Sequence, residues 1–131
     1  MGRIVCAAVV AAGLGLSAGC GGGNSGASAT EGPKAGLEEL GEALKSLAAE
    51  GRNPPGKLAE FESIEPLVPV CGPQIRNGEV VYFWGAGYAA GGDKVVAHEK
   101  KAPAEGGLVL LQNGKVKTMT AAEFQAAPKA K

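Results

Sequence analysis

Charged side chains are nearly missing from the first 35 residues of this chain, which contain only Arg3, Glu31 and Lys34. Residues 4–16 form a 13-residue run without a polar side chain, and residues 21–30 are mostly Gly, Ser and Ala. A stretch rich in Gly and Ser has little to bury and loses much backbone entropy on folding. We therefore expect a single folded domain over residues 36–127, about 90 residues around one core, followed by a short tail at residues 128–131.

The beginning of the chain has the pattern of a secretory signal peptide. Arg3 precedes the apolar run, and the small residues Ser17, Ala18 and Gly19 follow it. As a helix, the run would span about 20 Å, which is short of the ~30 Å apolar core of a bilayer. The pattern favours an exported protein over a permanent transmembrane helix.

The signal ends in Leu16-Ser17-Ala18-Gly19-Cys20, which resembles the lipobox of bacterial lipoproteins, although members of that family commonly have Leu where Ser17 stands. The resemblance implies that residues 1–19 are removed and that Cys20 is acylated, so that membrane lipid becomes a partner of the protein. Gly21, where an Asp would imply retention at the inner membrane, implies an outer-membrane lipoprotein facing the periplasm or the exterior. The alternative is a cleaved signal with Cys20 as an ordinary small residue. Residues 20–35 have the composition of a flexible tether.

Leucines recur at spacings of three and four in the first part of the domain, which is the period of an amphipathic helix. They are Leu37, Leu40, Leu44 and Leu47. Gly51, followed by Pro54 and Pro55, ends this helix, since Gly accepts a left-handed cap and Pro cannot continue the hydrogen-bond ladder. A further helical turn within residues 57–62 would direct Leu58 and Phe61 inward.

Beyond Pro66 the sequence has apolar segments of strand length. They are residues 67–70, 80–84, 95–97, 108–111 and 116–119. Asn113-Gly114 predicts a type I′ turn that joins the last two segments in a hairpin. Thr120 and Glu123 form a capping box at the start of a closing helix, which Pro128 ends. We expect an α+β domain in which the N-terminal helix packs on a small antiparallel sheet of three to four strands, with a short C-terminal helix.

The charge balance argues against a nucleic-acid partner. The chain has 13 basic and 13 acidic side chains, a formal net charge of zero. Binding to a phosphate backbone normally requires a basic surface. We therefore expect no nucleic acid among the partners.

Few residues in this chain could carry catalysis. The sequence has one His, His98, and after Cys20 only one further Cys, Cys71. Catalytic or metal chemistry needs several convergent groups, so we expect no enzymatic activity and no cofactor or metal. The alternative is a periplasmic enzyme or metal-handling protein that uses His98 and Cys71, which requires the two side chains to lie together.

Aromatic residues gather beside the glycine-rich segment 85–92, which predicts a loop between strands. Tyr82 and Trp84 would share one face of a strand, with Phe83 on the other, and Tyr88 follows in the loop. Trp and Tyr are enriched at recognition surfaces. Tyr82, Trp84 and Tyr88 are therefore a candidate binding surface, either for a protein or cell-envelope partner or for a small ligand.

The second half of the chain resembles the pseudopilins of bacterial type II secretion. The resemblance covers residues 95–100, 106–116, 119–120 and 123–124, and the segment 40–58 is similar to the place where the long pseudopilin helix meets its sheet domain. The family has Asp where Asn113 stands and often His where Lys115 stands, and it begins with a hydrophobic assembly helix instead of a lipobox. The resemblance implies a pseudopilin-like fold with a non-enzymatic structural or interaction role.

Overall fold

A computed structural model describes residues 32–130 of the chain. It contains five α-helices, one 3-10 helix and four strands. In chain order they are α1 (Pro33–Ala49), α2 (Leu58–Phe61), the 3-10 helix (Glu65–Leu67), α3 (Cys71–Arg76), β1 (Val80–Tyr82), β2 (Val95–Glu99), α4 (Ala102–Glu105), β3 (Gly107–Leu111), β4 (Val116–Met119) and α5 (Ala121–Ala126). The strands form one antiparallel sheet in the order β1-β2-β3-β4, which confirms the predicted α+β class.

Helices cover both faces of the sheet, and strand β3 shows how the sequence divides them. Leu108 and Leu110 contribute to the core under α1 and α3, whereas Val109 and Leu111 contribute to a second core under α4 and α5. Successive side chains of a strand point to opposite faces. The continuous apolar sequence of β3 therefore indicates burial on both sides.

Helix α1 begins before residue 36, which is the predicted start of the domain. Pro33 is its first residue, a position where the fixed φ of Pro suits the helix and its missing N–H costs nothing. The domain therefore begins within the range assigned to the tether. At the other end, Gly51 has a φ of +70°, and the N–H groups of Gly51 and Arg52 donate to the carbonyls of Ala48 and Leu47, at 3.1 and 2.9 Å. This Schellman motif ends the helix.

The apolar segment 67–70 does not form a strand, because Leu67 ends the 3-10 helix and residues 68–70 link that helix to α3. The carboxylate of Glu39 on α1 accepts hydrogen bonds from the N–H groups of Val70 and Cys71, at 2.9 and 2.8 Å. Pro66, Pro69 and Pro73 have no N–H to donate to a strand ladder. The tertiary contact with Glu39 therefore supplies partners for backbone groups that a neighbouring strand would otherwise have provided.

The hairpin of β3 and β4 is confirmed, but its turn has three residues instead of two. Leu111 and Lys115 flank the turn, and the N–H of Leu111 donates to the carbonyl of Lys115 at 2.9 Å. The N–H of Gly114 donates to the carbonyl of Leu111 at 3.0 Å, and Gly114 has a φ of +84°. This is a type I turn followed by a left-handed residue, so only Gly114 of the Asn-Gly pair supplies the positive φ.

The capping box at α5 is confirmed. The N–H of Glu123 donates to the Thr120 hydroxyl at 3.1 Å, and the Glu123 carboxylate accepts from the N–H of Thr120 at 2.9 Å. Residues 128–130, predicted to be tail, instead join the fold. The N–H of Val95 donates to the carbonyl of Pro128 at 2.9 Å, and the N–H of Ala130 donates to the carbonyl of Val95 at 2.8 Å.

The predicted signal peptide, residues 1–19, and the predicted acylation site, Cys20, lie outside the described residues. None of the helices within residues 32–130 reaches the length and apolar character that crossing a bilayer requires.

Replacing Glu39 tests its role in fixing the segment before α3. We expect Glu39→Ala to lower the free energy of unfolding by about 2–3 kcal/mol, because two hydrogen bonds to a charged acceptor are lost and two partly buried N–H groups remain. The control is Glu38→Ala, which removes an exposed carboxylate whose ion pair with Lys34 is 3.8 Å long and should cost at most about 0.5 kcal/mol. Equal losses in urea unfolding would contradict the assigned role.

Candidate functional site

Tyr82 belongs to the core and not to a binding surface. Its side chain is buried, and its hydroxyl donates to the carbonyl of Ala86. Burial raises the pKa of the phenol. Tyr82 is therefore a buried residue against which Trp84 packs. This corrects the prediction that Tyr82 lines a surface.

Trp84 is the exposed member of the predicted set. It follows the end of β1, and 39% of its surface is accessible. Its ring packs edge-to-face on Tyr82, with centroids 5.2 Å apart, and on the buried Phe61, with centroids 6.0 Å apart. The backbone after it is held by a hydrogen bond of 2.9 Å from the N–H of Gly85 to the carbonyl of Pro55. The indole is thus held on its inner side by Tyr82 and Phe61, and its outer side is exposed to solvent.

Tyr88 lies elsewhere in the β1–β2 loop. It is half-buried against the core beneath α1, where it lines a small depression with Gly41, Leu44 and Gly114. The N–H of Ala89 holds the loop there by donating to the carbonyl of Gln112 at 2.8 Å. Tyr88 therefore packs against the end of the β3–β4 hairpin, and Trp84 is the residue of the predicted trio that forms an exposed surface.

Leu58 adds to the exposed surface, which corrects the prediction that it faces inward. It is 43% exposed, whereas Phe61, one helical turn later in α2, is fully buried. Leu58 and Phe61 lie three positions apart on one side of the short helix, and the Phe61 ring in turn packs against Trp84. We call Leu58 and Trp84 the Trp84 surface. Helix α2 has only four residues, which is too short for periodicity to indicate which of its apolar side chains is buried.

A hollow of about 330 Å³ lies in the same region, between the end of α1 and α2. Leu47, Pro55 and Ile64 are among its apolar lining residues, and Arg52 and Glu60 are among the polar ones. Arg52 pairs with Glu50 at 3.3 Å, and Lys57 pairs with Glu60 at 3.8 Å. The charges around the hollow are therefore matched within the domain.

His98 is buried on the face of the sheet that α4 and α5 cover. It pairs with Val109 across β2 and β3, and its ring lies 4.7 Å from that of Phe124 and 5.5 Å from that of Phe83. Its Nδ1 lies 2.6 Å from the carbonyl oxygen of Glu99. Because a carbonyl only accepts, Nδ1 carries the hydrogen.

Burial and the positive charge of Lys129 both favour the neutral form of His98. Burial lowers its pKa, the hydrogen bond to the Glu99 carbonyl opposes that effect, and the positive charge of Lys129 lowers the pKa further. The Lys129 ammonium lies 4.3 Å from the centre of the Phe124 ring and donates to the carbonyls of Phe124 and Ala127. His98 is therefore a neutral core residue against the C-terminal segment.

Cys71 lies on the other side of the sheet, in the core beneath α1. Burial, together with the negative charge of Glu39, raises the pKa of its thiol to about 12, and a protonated thiol is a poor nucleophile. The sheet separates Cys71 from His98, so the pair required by the enzymatic alternative does not form. Within residues 32–130, His, Cys, Asp and Glu side chains form no group of three or more that could hold a metal ion.

Comparisons with known proteins found no match to a family model, to a curated protein or to a solved structure. Function is therefore inferred from the residues of this chain.

The burial of His98 predicts a pH dependence of stability. Because its pKa in the folded state lies below the ordinary value of 6.5, the unfolded chain takes up a proton first as the pH falls. The stabilisation from neutral His98 is complete above pH 6.5 and declines below it. We expect the unfolding free energy of the wild type to fall more steeply between pH 7 and 5 than that of His98→Gln, which does not titrate. Parallel curves would refute the burial of a neutral imidazole.

Proposed function

We propose that this protein is a lipid-anchored component of a bacterial cell envelope whose domain has a non-enzymatic structural or interaction role. In this proposal Cys20 is acylated, residues 1–19 are removed, and the domain stands at the outer membrane, facing the periplasm or the exterior. The domain binds a protein or cell-envelope partner through the Trp84 surface. Acylated Cys20 supplies the contact with membrane lipid.

The observation that carries the anchor is the order of features before Cys20. A basic residue, an apolar run too short to span a bilayer and three small residues lead directly to the Cys. One acyl chain binds membranes only marginally, whereas two or more anchor a protein stably. Acylation of the kind that the lipobox implies would therefore hold the protein at the membrane.

The described architecture supports a pseudopilin-like domain. A 17-residue helix precedes a four-stranded antiparallel sheet, and segment 106–116 of the resemblance falls largely within the β3–β4 hairpin. We propose that this chain has the sheet domain of a pseudopilin on a lipid anchor. A structural or interaction role follows from that relationship and does not require filament assembly.

A protein or cell-envelope partner is favoured over a small ligand by the arrangement around Trp84. The indole and Leu58 are exposed, while Tyr82 and Tyr88 face the core. A small-molecule site would need aromatic groups converging on a cavity. An exposed aromatic ring fixed on a buried support is instead the form that an interface anchor takes.

The anchor is tested by replacing Cys20 in the full-length chain expressed in a bacterium. We expect the wild type in the membrane fraction with incorporated labelled fatty acid, and Cys20→Ser without label and released from the membrane. Cys6→Ser is the matched control, because Cys6 lies in the predicted signal and should be dispensable for acylation. Label retained in Cys20→Ser would contradict the proposal.

The partner surface is tested with a photocrosslinking amino acid at position 58 of the anchored protein. We expect a discrete crosslinked species that Trp84→Ala strongly reduces, because an interface anchor of about 2 kcal/mol changes the dissociation constant about 30-fold. The same crosslinker at the exposed Lys45 on α1 is the control position. Equal crosslinking from both positions, or no effect of Trp84→Ala, would exclude the Trp84 surface as the contact.

A further inference from the structure

A second exposed apolar surface lies at the 3-10 helix. Leu67 is 55% exposed, the largest exposed fraction among the large hydrophobic side chains of the described chain. Pro66, Pro69 and Pro73 are exposed in the same segment and, together with Glu62 and Glu65, line a hollow of about 380 Å³. We call these four residues the proline corner. Its side chains are apolar and, apart from Leu67, conformationally restricted, so covering them costs little side-chain entropy.

The proline corner is fixed to the beginning of α1. Glu39 holds the N–H groups of Val70 and Cys71, directly between Pro69 and Pro73. Gly36 packs so closely on Gln74 and Cys71 that an added Cβ would collide with the Gln74 side chain. The corner is therefore a rigid feature at the end of α1 where the chain enters the domain.

That end of the domain is tied closely to the proposed anchor. Residues 21–32 separate Cys20 from Pro33. A Gly- and Ser-rich chain of 12 residues has an average end-to-end distance of about 20 Å, whereas the 17-residue helix α1 is about 25 Å long. The Trp84 surface lies toward the other end of α1, beside residues 53–56, because Gly85 bonds to Pro55 and Leu47 lines the hollow next to it. Of the two apolar surfaces, the corner is therefore the one nearer to the proposed anchor.

The charges around the corner indicate what kind of contact it makes. Arg76 pairs with Glu65 at 2.7 Å and with Glu62 at 3.5 Å, and Lys34 on the first turn of α1 pairs with Glu38 at 3.8 Å. These five side chains carry a net charge of −1, and they do not form a cluster of basic groups. Attraction to anionic head groups would need such a cluster, so a contact here depends on the apolar side chains.

We infer that the proline corner rests on the bilayer surface, with Leu67 inserted among the lipid head groups. This inference rests on the proposed anchoring at Cys20, which makes the contact intramolecular and therefore effective despite its small area. It fixes the orientation of the domain. The start of α1 faces the membrane, and the Trp84 surface is left free for a partner.

The contact is tested by tryptophan quenching in the full-length, lipidated protein. Trp84 is the only Trp of the chain, so Trp84→Phe provides a silent background into which Leu67→Trp is introduced. Leu58→Trp in the same background is the matched control, since Leu58 is also an exposed Leu, at 43%. The proteins are reconstituted into phosphatidylcholine vesicles with or without brominated acyl chains.

We expect bromine to quench Trp at position 67 at least about twofold more than Trp at position 58, as for a side chain at the boundary of head groups and acyl chains. The difference should persist at 0.5 M NaCl, about the concentration at which attraction between exposed charges is strongly screened. Equal quenching, or none at position 67, in protein that stays on the vesicles would overturn the inference and leave the anchor intact. Protein that carries no acyl chain and does not sediment with vesicles would overturn both. Quenching lost in salt would identify an electrostatic contact and contradict the apolar one.

Discussion

Burial of both faces of the sheet is the constraint on which the rest of this domain depends. Strand β3 alternates Leu108 and Leu110 toward α1 with Val109 and Leu111 toward α4 and α5, so neither helical layer can be removed without exposing half of an apolar strand. Strand β2 is buried in the same way over residues 95–98. Within residues 32–130, the large hydrophobic side chains that stay exposed are Leu58, Leu67 and Trp84, which lie in the short helices and the β1–β2 loop.

This constraint also decides which candidate residues can act together. His98 and Cys71 lie in different cores, separated by the sheet. Tyr82 is buried beneath Trp84 and supports it. Because the interior is divided, the few reactive side chains of the domain are isolated from one another. The apolar surfaces at Trp84 and Leu67 are therefore the candidates for contacts with other molecules.

The sequence predicts the structure correctly where interactions between neighbouring residues determine it. The capping box needs only Thr120 and Glu123, and β4 runs from Val116 to Met119 as its apolar pattern predicts. The prediction fails where a contact with a residue that is distant in the chain determines the structure. Residues 67–70 are apolar enough for a strand, but Glu39, 31 positions before Val70, supplies their backbone with another partner. Residues 128–130 pair with Val95, and no local pattern indicates this contact. Leu58 is exposed although its hydropathy favours burial.

The proposed function assigns each end of the domain a separate task, with lipid at the start of α1 and a partner at the Trp84 surface. Both assignments depend on the acylation of Cys20, which holds the domain at the membrane. The most direct measurement is the intact mass of protein extracted from the membranes of the native bacterium. We expect a polypeptide that starts at Cys20 and carries the added mass of a diacylglycerol and usually a further acyl chain. A mass that corresponds to an unmodified Cys20, in protein found free of the membrane, would contradict the anchoring.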